Sequence, residues 1–248
     1  MLKNCLLFIL VFNAVFQIYS QKERENVNSK FRPGIMWFYT GLRPAIPEKV
    51  RKYDRFIIDV TYNDWHGVKN KVFKNNWSSI GLNTSFLMDI PLSKGNTKAI
   101  GIGLSYGLYK INQNQFFIRN EKDKSTLMYD DIKSYGIEKS VFKLHSVSIP
   151  LEIRFRGKEW KHWKFHLGGK FTYQFLASTV LSTKSNSFVS KQVSQGFYDL
   201  NPINSSCYIR FGRRNWALFA QYNFLPLFKN STSAQLYTFQ WGLSISLF

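Results

Sequence analysis

The sequence predicts a single eight-stranded antiparallel β-barrel that crosses a membrane as an up-and-down meander, with both termini on the periplasmic side. Three observations predict it. Apolar and polar residues alternate in eight segments. The polar face of these segments is mostly small or neutral, where a soluble strand would carry Lys or Glu. Short connections alternate with long ones. The last segment, YTFQWGLSISLF (237–248), shows the first two together. Tyr237, Phe239, Trp241, Leu243, Ile245 and Leu247 share one face, and Thr238, Gln240, Gly242, Ser244 and Ser246 share the other. Successive strand side chains point to opposite faces, so one face is wholly apolar and the other polar without charge. Lipid outside and a polar lumen inside satisfy both. A soluble lipocalin-like barrel is the rival, but its outer face would carry many charges.

The chain divides into residues 1–20, 21–52 and 53–248. Residues 1–20 carry Lys3, the apolar run CLLFILVFNAVF and the small residue Ser20, which is the layout of a signal peptide cleaved after Ser20. Cys5 lies too early for a lipidated cysteine. After cleavage only Cys207 remains, which excludes an intramolecular disulfide. Residues 21–52 read as a periplasmic extension, with a polar lead before FRPGIMWFYTGLRPAIP (31–47), a stretch interrupted by Pro and Gly. Ile35, Met36, Trp37, Phe38 and Tyr39 are costly to expose together. They are expected to plug the barrel, lie in the membrane interface, or dock on a protein partner.

Within residues 53–248 the strands follow in order. YDRFIIDVTYNDW (53–65) sets Phe56, Ile58, Val60 and Tyr62 against Arg55, Asp59, Thr61 and Asn63, with Ile57 the apolar exception. WSSIGLNTSFLMDI (77–90) and AIGIGLSYGLY (99–109) repeat the pattern. HSVSIPLEIRFR (145–156) does so with Pro150 on its polar face, where a kink or bulge is expected. WKFHLGGKFTYQFLAST (163–179) is the clearest long strand and NSSCYIRF (204–211) the weakest. NWALFAQYNF (215–224) and the terminal segment complete the eight. Turns at 91–97, 156–162 and 212–215 are short, while 66–76, 110–140, 180–203 and 225–236 are long and polar, the asymmetry between periplasmic and outer loops. Aromatic residues gather near the segment ends as two interfacial girdles. Trp65, Trp77, Tyr109, Phe175, Phe224 and Tyr237 lie on the long-loop side. Phe155, Trp160, Trp163, Phe211, Trp216 and Phe248 lie on the short-turn side.

The inward set contains Arg55, Asp59, Asp89, Glu152, Arg154, Lys164, His166, Lys170 and Arg210, mostly toward the short-turn end. Eight strands leave an interior that side chains fill. Isolated charges there cost several kcal/mol, so a salt-bridge network plugging the periplasmic half is expected. Gly101, Gly103 and Gly107 are expected to make room for Arg and Lys from neighbouring strands.

No catalytic, cofactor or metal constellation emerges. His145 is followed by Ser146, but residues i and i+1 of a strand face opposite sides and cannot pair as base and nucleophile. HExxH, Cys/His metal sets and Gly-rich phosphate loops are absent from the sequence. The chain has 34 Lys+Arg against 15 Asp+Glu. This excess is distributed by compartment and lacks a base-reading motif, so nucleic acid is not the expected partner. The cations of 21–52, with Arg156, Lys158, Lys161, Arg213 and Arg214, are expected to face inner-leaflet phosphates or an acidic periplasmic protein. Lys69, Lys71 and Lys74 are expected to meet lipopolysaccharide.

The signal, eight amphipathic strands and a last strand ending in Phe248 resemble the small outer-membrane β-barrel family. Within it, DRFIIDVTYNDW (54–65) and SIPLEIRFR with FHLGGKF (148–156, 165–171) resemble the PorT-like barrel proteins of the Bacteroidota, over residues 50–248. Phe248 departs from the usual terminal register, one position out of step with Ile245 and Leu247. The resemblance implies the outer membrane of a Gram-negative bacterium and a connection to protein secretion. The expected function is a non-enzymatic component that binds an envelope partner. The alternatives are a narrow pore or an outer-surface ligand or lipopolysaccharide receptor, and then a lipid A-modifying enzyme.

Overall fold

Alternation produces a closed cylinder. The computed structural model describes residues 54–67, 74–93, 96–129, 132, 136–157, 163–185 and 188–247. Its strands are β1 (Phe56–His66), β2 (Ile80–Pro91), β3 (Lys98–Gln113), β4 (Phe116–Asn120), β5 (Ser125–Tyr129), β6 (Ile137–Arg156), β7 (Trp163–Ser185), β8 (Phe188–Gln195), β9 (Ile203–Arg213), β10 (Trp216–Asn223) and β11 (Tyr237–Ser246). Eight close the barrel in the order β1-β2-β3-β6-β7-β9-β10-β11, with β11 returning to β1, all antiparallel. They coincide with the eight segments expected from alternation, including the weak segment that became β9. Closure leaves no unpaired sheet edge, which is what a lipid-embedded backbone requires.

The two faces separate as the alternation demands. Phe86, Leu104, Leu151, Phe171, Leu218 and Leu243 are exposed on the outside, while Asn83, Ser85, Ser105, Ser146, Gln240 and Ser244 are buried inside. At one point the alternation is reset. His145 pairs with Leu176 and Ser146 with Gln174, leaving Phe175 as an extra residue on β7. This bulge keeps both Phe175 and Leu176 on the outside and turns Ala177 and Thr179 inward above it. The irregularity expected at Pro150 is therefore found elsewhere. The β6–β7 register runs unbroken through Pro150 and Lys170. Only the pairing with β3 lapses, opposite Gly103 and Leu104, because proline has no N–H to donate there.

The long connections hold more structure than their polarity suggests. β6 has 20 residues and β7 has 23, against about 10 needed to cross a bilayer. Both project past the outer rim. β8 folds back along the tip of β7, and β4 and β5 form a separate hairpin. The girdles are also narrower than expected. Trp77, Phe175 and Phe224 are exposed at the outer end, and Phe155, Trp163, Phe211 and Trp216 at the other, with Trp163 stacked on Phe211 at 5.4 Å. Trp65 and Tyr109 are instead buried inside the barrel, because they share the inward parity of Asn63 and Gly107. Trp160 and Phe248 lie outside the described residues.

Candidate functional site

The periplasmic half of the lumen is an ionic cluster. Arg154, from β6, donates from Nε to Glu152 at 2.6 Å, from one terminal nitrogen to Asp89 at 2.8 Å, and from the other to the Asp54 carbonyl at 3.0 Å. Arg156, two residues on and therefore on the same face, reaches Asp54, Asp89 and Asn96. Arg210 of β9 crosses to β1, where two of its nitrogens bind both oxygens of Asp59 at 3.1 and 2.9 Å. Its third binds Glu152 at 2.7 Å. The Tyr208 hydroxyl donates to the same Glu152 oxygen at 2.6 Å. Lys164 donates to Asp54 at 3.0 Å and to Ser246 at 2.7 Å. His166 lies within 3.7 Å of Asp54 and 3.6 Å of Glu152. Lys170 stands over the Tyr208 and Phe219 rings at 5.1 and 5.3 Å. All these charged groups are buried, and the arginines, Lys164 and the carboxylates are held by one another in place of water, while the Lys170 ammonium has only ring faces against it.

Eight of the nine residues expected in this set, Asp59, Asp89, Glu152, Arg154, Lys164, His166, Lys170 and Arg210, are buried together. Arg55 is not among them. Its guanidinium lies 5.7 Å from the Phe86 ring, and Phe86 is on the exposed outer face. Regular alternation starts at Phe56, and just before it Asp54 adopts a positive φ of 54°. That irregular backbone turns the Asp54 carboxylate inward in place of Arg55. Arg156, expected to face phosphates beyond the turn, is likewise inside. Parity with Arg154 was the signal for it, as parity with Arg210 was for Tyr208. Among the three glycines, Gly101 makes the expected room, since a Cβ there would stand 2.6 Å from the Arg154 Nε. The nearest side chains at Gly107 are Tyr109 and Asn83, and Gly103 meets the β2 backbone instead.

The outer end is closed by different chemistry. Trp65, Tyr109, Ile111, Phe117, Phe142, Leu144, Phe197, Leu227, Phe228 and Leu236 form one buried apolar cluster from the barrel wall, the β4–β5 hairpin and two outer connections. Phe117 sits at its centre, with ring centroids 5.2 Å from Phe142 and 5.5 Å from Phe228. The Trp65 indole donates to Gln113 at 2.9 Å. Asp199 stitches the connections above it, accepting from the Thr126 backbone N–H at 3.1 Å, the Thr126 hydroxyl at 2.5 Å and the Ser233 hydroxyl. Sequence reading missed this cap because its members come from segments that look like independent polar loops.

On the outer rim, a groove of about 400 Å³ is lined by Lys74, Asn75, Asn76, Trp77, Asn112, Gln113, Asn114, Ile132 and Glu138. Trp77 is 81% exposed beside it. His145 faces outward with Nδ1 2.7 Å from the Tyr106 hydroxyl, while Ser146 is buried inside. Among the described residues no group of three or more His, Cys, Asp or Glu is placed to hold a metal. Residues 21–52, with Ile35, Met36, Trp37, Phe38 and Tyr39, lie outside the described residues, as do Lys69, Lys71, Lys158 and Lys161.

Residues 56–247 match the family model described as outer membrane protein beta-barrel domain. The chain belongs to that family. It is an outer-membrane β-barrel protein of the Gram-negative type, and the apolar outer band and closed sheet agree with that. No curated protein sequence matches it. Among solved structures, the barrel is similar to Ail, the attachment invasion locus protein of Yersinia pestis, in complex with the heparin analogue sucrose octasulfate. The identity is 10% and the TM-score 0.31, over 76% of this chain and 93% of that one.

Proposed function

We propose that this outer-membrane barrel is a non-enzymatic, non-conducting component that works by binding an envelope partner, with residues 31–47 as its periplasmic contact. One observation carries the reading: the lumen is filled by side chains at both ends, with ions below and aromatic rings above. A protein that blocks its own interior acts through its surfaces. His145 has Tyr106 as its neighbour and Ser146 turned away, which supports a role other than hydrolysis. The resemblance to PorT-like proteins makes a protein-secretion assembly the first place to look for the partner.

The test uses the full-length protein with an affinity tag between Lys122 and Ser125, at the exposed β4–β5 turn, purified from solubilised outer membranes. A stoichiometric companion lost on deleting residues 31–47, together with silence in planar bilayers, is the expected result. Steady single-channel conductance overturns it in favour of the pore.

A second reading, an outer-surface ligand receptor, is favoured by the groove beside Trp77. Aromatic faces and side-chain amides suit a polar, ring-containing ligand. Quenching of tryptophan fluorescence by such a ligand, lost in Trp77→Ala, is its signature.

A further inference from the structure

Above the lipid-facing band, the outside of the barrel carries two cations that no carboxylate among the described residues pairs with. Lys110 of β3 and Lys143 of β6 stand directly opposite one another in the β3–β6 register. Their chain neighbours Tyr109, Ile111, Phe142 and Leu144 all point into the apolar cap, which fixes both lysines on the outward face. Like charges directly opposite on adjacent strands repel. Among the described residues neither lysine belongs to an ion pair. A third and a fourth cation reinforce them: Lys139 of β6 and Lys191 of β8 are both exposed, and both are register partners of Ser182.

The depth of this cluster points to what lies against it. Below Lys143 the outward residues of β6 are His145, then Val147, Ile149, Leu151, Ile153 and Phe155, the last five all exposed and apolar. From Phe155 to Val147 the tilted strand rises roughly 20 Å, close to the ~25 Å height of a lipid-facing barrel band. His145 therefore lies at the rim, and Lys143 one rung above it, level with headgroup phosphates. Ser178 is the register partner of Lys143 on the β7 side, and the Tyr106–His145 pair lies just beneath.

We propose that Lys110 and Lys143, flanked by Lys139 and Lys191, form a binding site for the phosphate of an outer-leaflet glycolipid. A phosphate carries enough negative charge to bridge both ammonium groups and relieve their repulsion. Its lipid chains would lie along the apolar rungs directly below, a contact that a soluble phosphate cannot make. This site shares no residue with the stretch 31–47 or with the groove beside Trp77. Its loss would leave the partner-binding reading standing.

The test is native mass spectrometry of the full chain in detergent micelles, titrated with phosphorylated lipid A, dephosphorylated lipid A and inorganic phosphate. The expected result is retention of phosphorylated lipid A, weakened about tenfold or more in Lys110→Gln/Lys143→Gln. Lys110→Arg/Lys143→Arg should keep it, as should the remote control Lys122→Gln/Lys124→Gln. All variants should remain heat-modifiable, since both lysines lie on the outer face; if the Gln pair fails to fold, the single Gln variants carry the same comparison. Equal binding by the Gln variants, or equal binding of dephosphorylated lipid A, overturns the proposal. Inorganic phosphate competing as well as the lipid overturns the lipid assignment.

Discussion

The two ends of this lumen are plugged in opposite ways. The lower plug is made of ions that, Asp54 apart, come from strand positions, the members of a rigid cylinder, with partners as far apart in sequence as Arg210 and Asp59, 151 residues. The upper plug is made of apolar side chains, most of them rings, several from the connections between barrel strands. An ionic cluster that loses a member is heavily destabilised, because the charges left behind stay buried with fewer partners. An apolar cluster that loses a member leaves a cavity, and its loops can settle into it. The lower end should behave as part of the barrel, and the upper end as a lid that opens by itself.

The largest expected effect breaks the lower plug. Glu152→Leu takes one carboxylate from both Arg154 and Arg210, leaving them Asp89 and Asp59, and removes the acceptor of Tyr208; it should cost roughly 3–5 kcal/mol of barrel stability. Urea unfolding in micelles, followed by the mobility shift between folded and heat-denatured forms, reads it directly. Next comes Phe117→Ala, costing about 3 kcal/mol but only in the cap. Hydrogen exchange should rise in the two outer connections and the β4–β5 hairpin while the amides of β1, β2 and β9 stay protected. If the whole barrel loosens instead, the two ends are one cooperative unit.

Combining Glu152→Leu with Phe117→Ala sharpens the same question, since independent sites should add within about 0.5 kcal/mol. Asp199→Asn weakens the stitching above the cap by about 1.5 kcal/mol, visible as faster protease nicking of the outer loops with no change in urea midpoint. The smallest effect is that of Arg55→Ala, within roughly 0.5 kcal/mol. A loss as large as that of Glu152→Leu would return Arg55 to the lumen network.

Much of the lower plug could be read from parity. Glu152 and Arg154 share a face, and so do Lys164, His166 and Lys170, whatever the rest of the chain does. The misreadings fall where strand geometry begins or ends. Asp54 enters the lumen through a positive φ just ahead of β1, an irregularity that no alternation signals. Arg156 lies where the sequence reads as a turn, although its parity matches that of Arg154. Trp65 and Tyr109 suit a girdle by their type, although their parity puts them inside. The cap had no local signature of its own, because Phe117, Phe197, Phe228 and Leu236 lie in stretches read as polar loops.

By itself, then, the sequence determined the number of barrel strands, which face of each meets lipid, and most of the charges that must be buried. All three follow from a two-residue period that every strand carries locally. Only the tertiary structure decided which carboxylate each cation meets, where the bulge at Phe175 resets the faces, and that the outer connections fold down into a cap. Those outcomes depend on how strands distant in sequence line up around a closed cylinder. Register is a property of the closed sheet, and no single strand contains it.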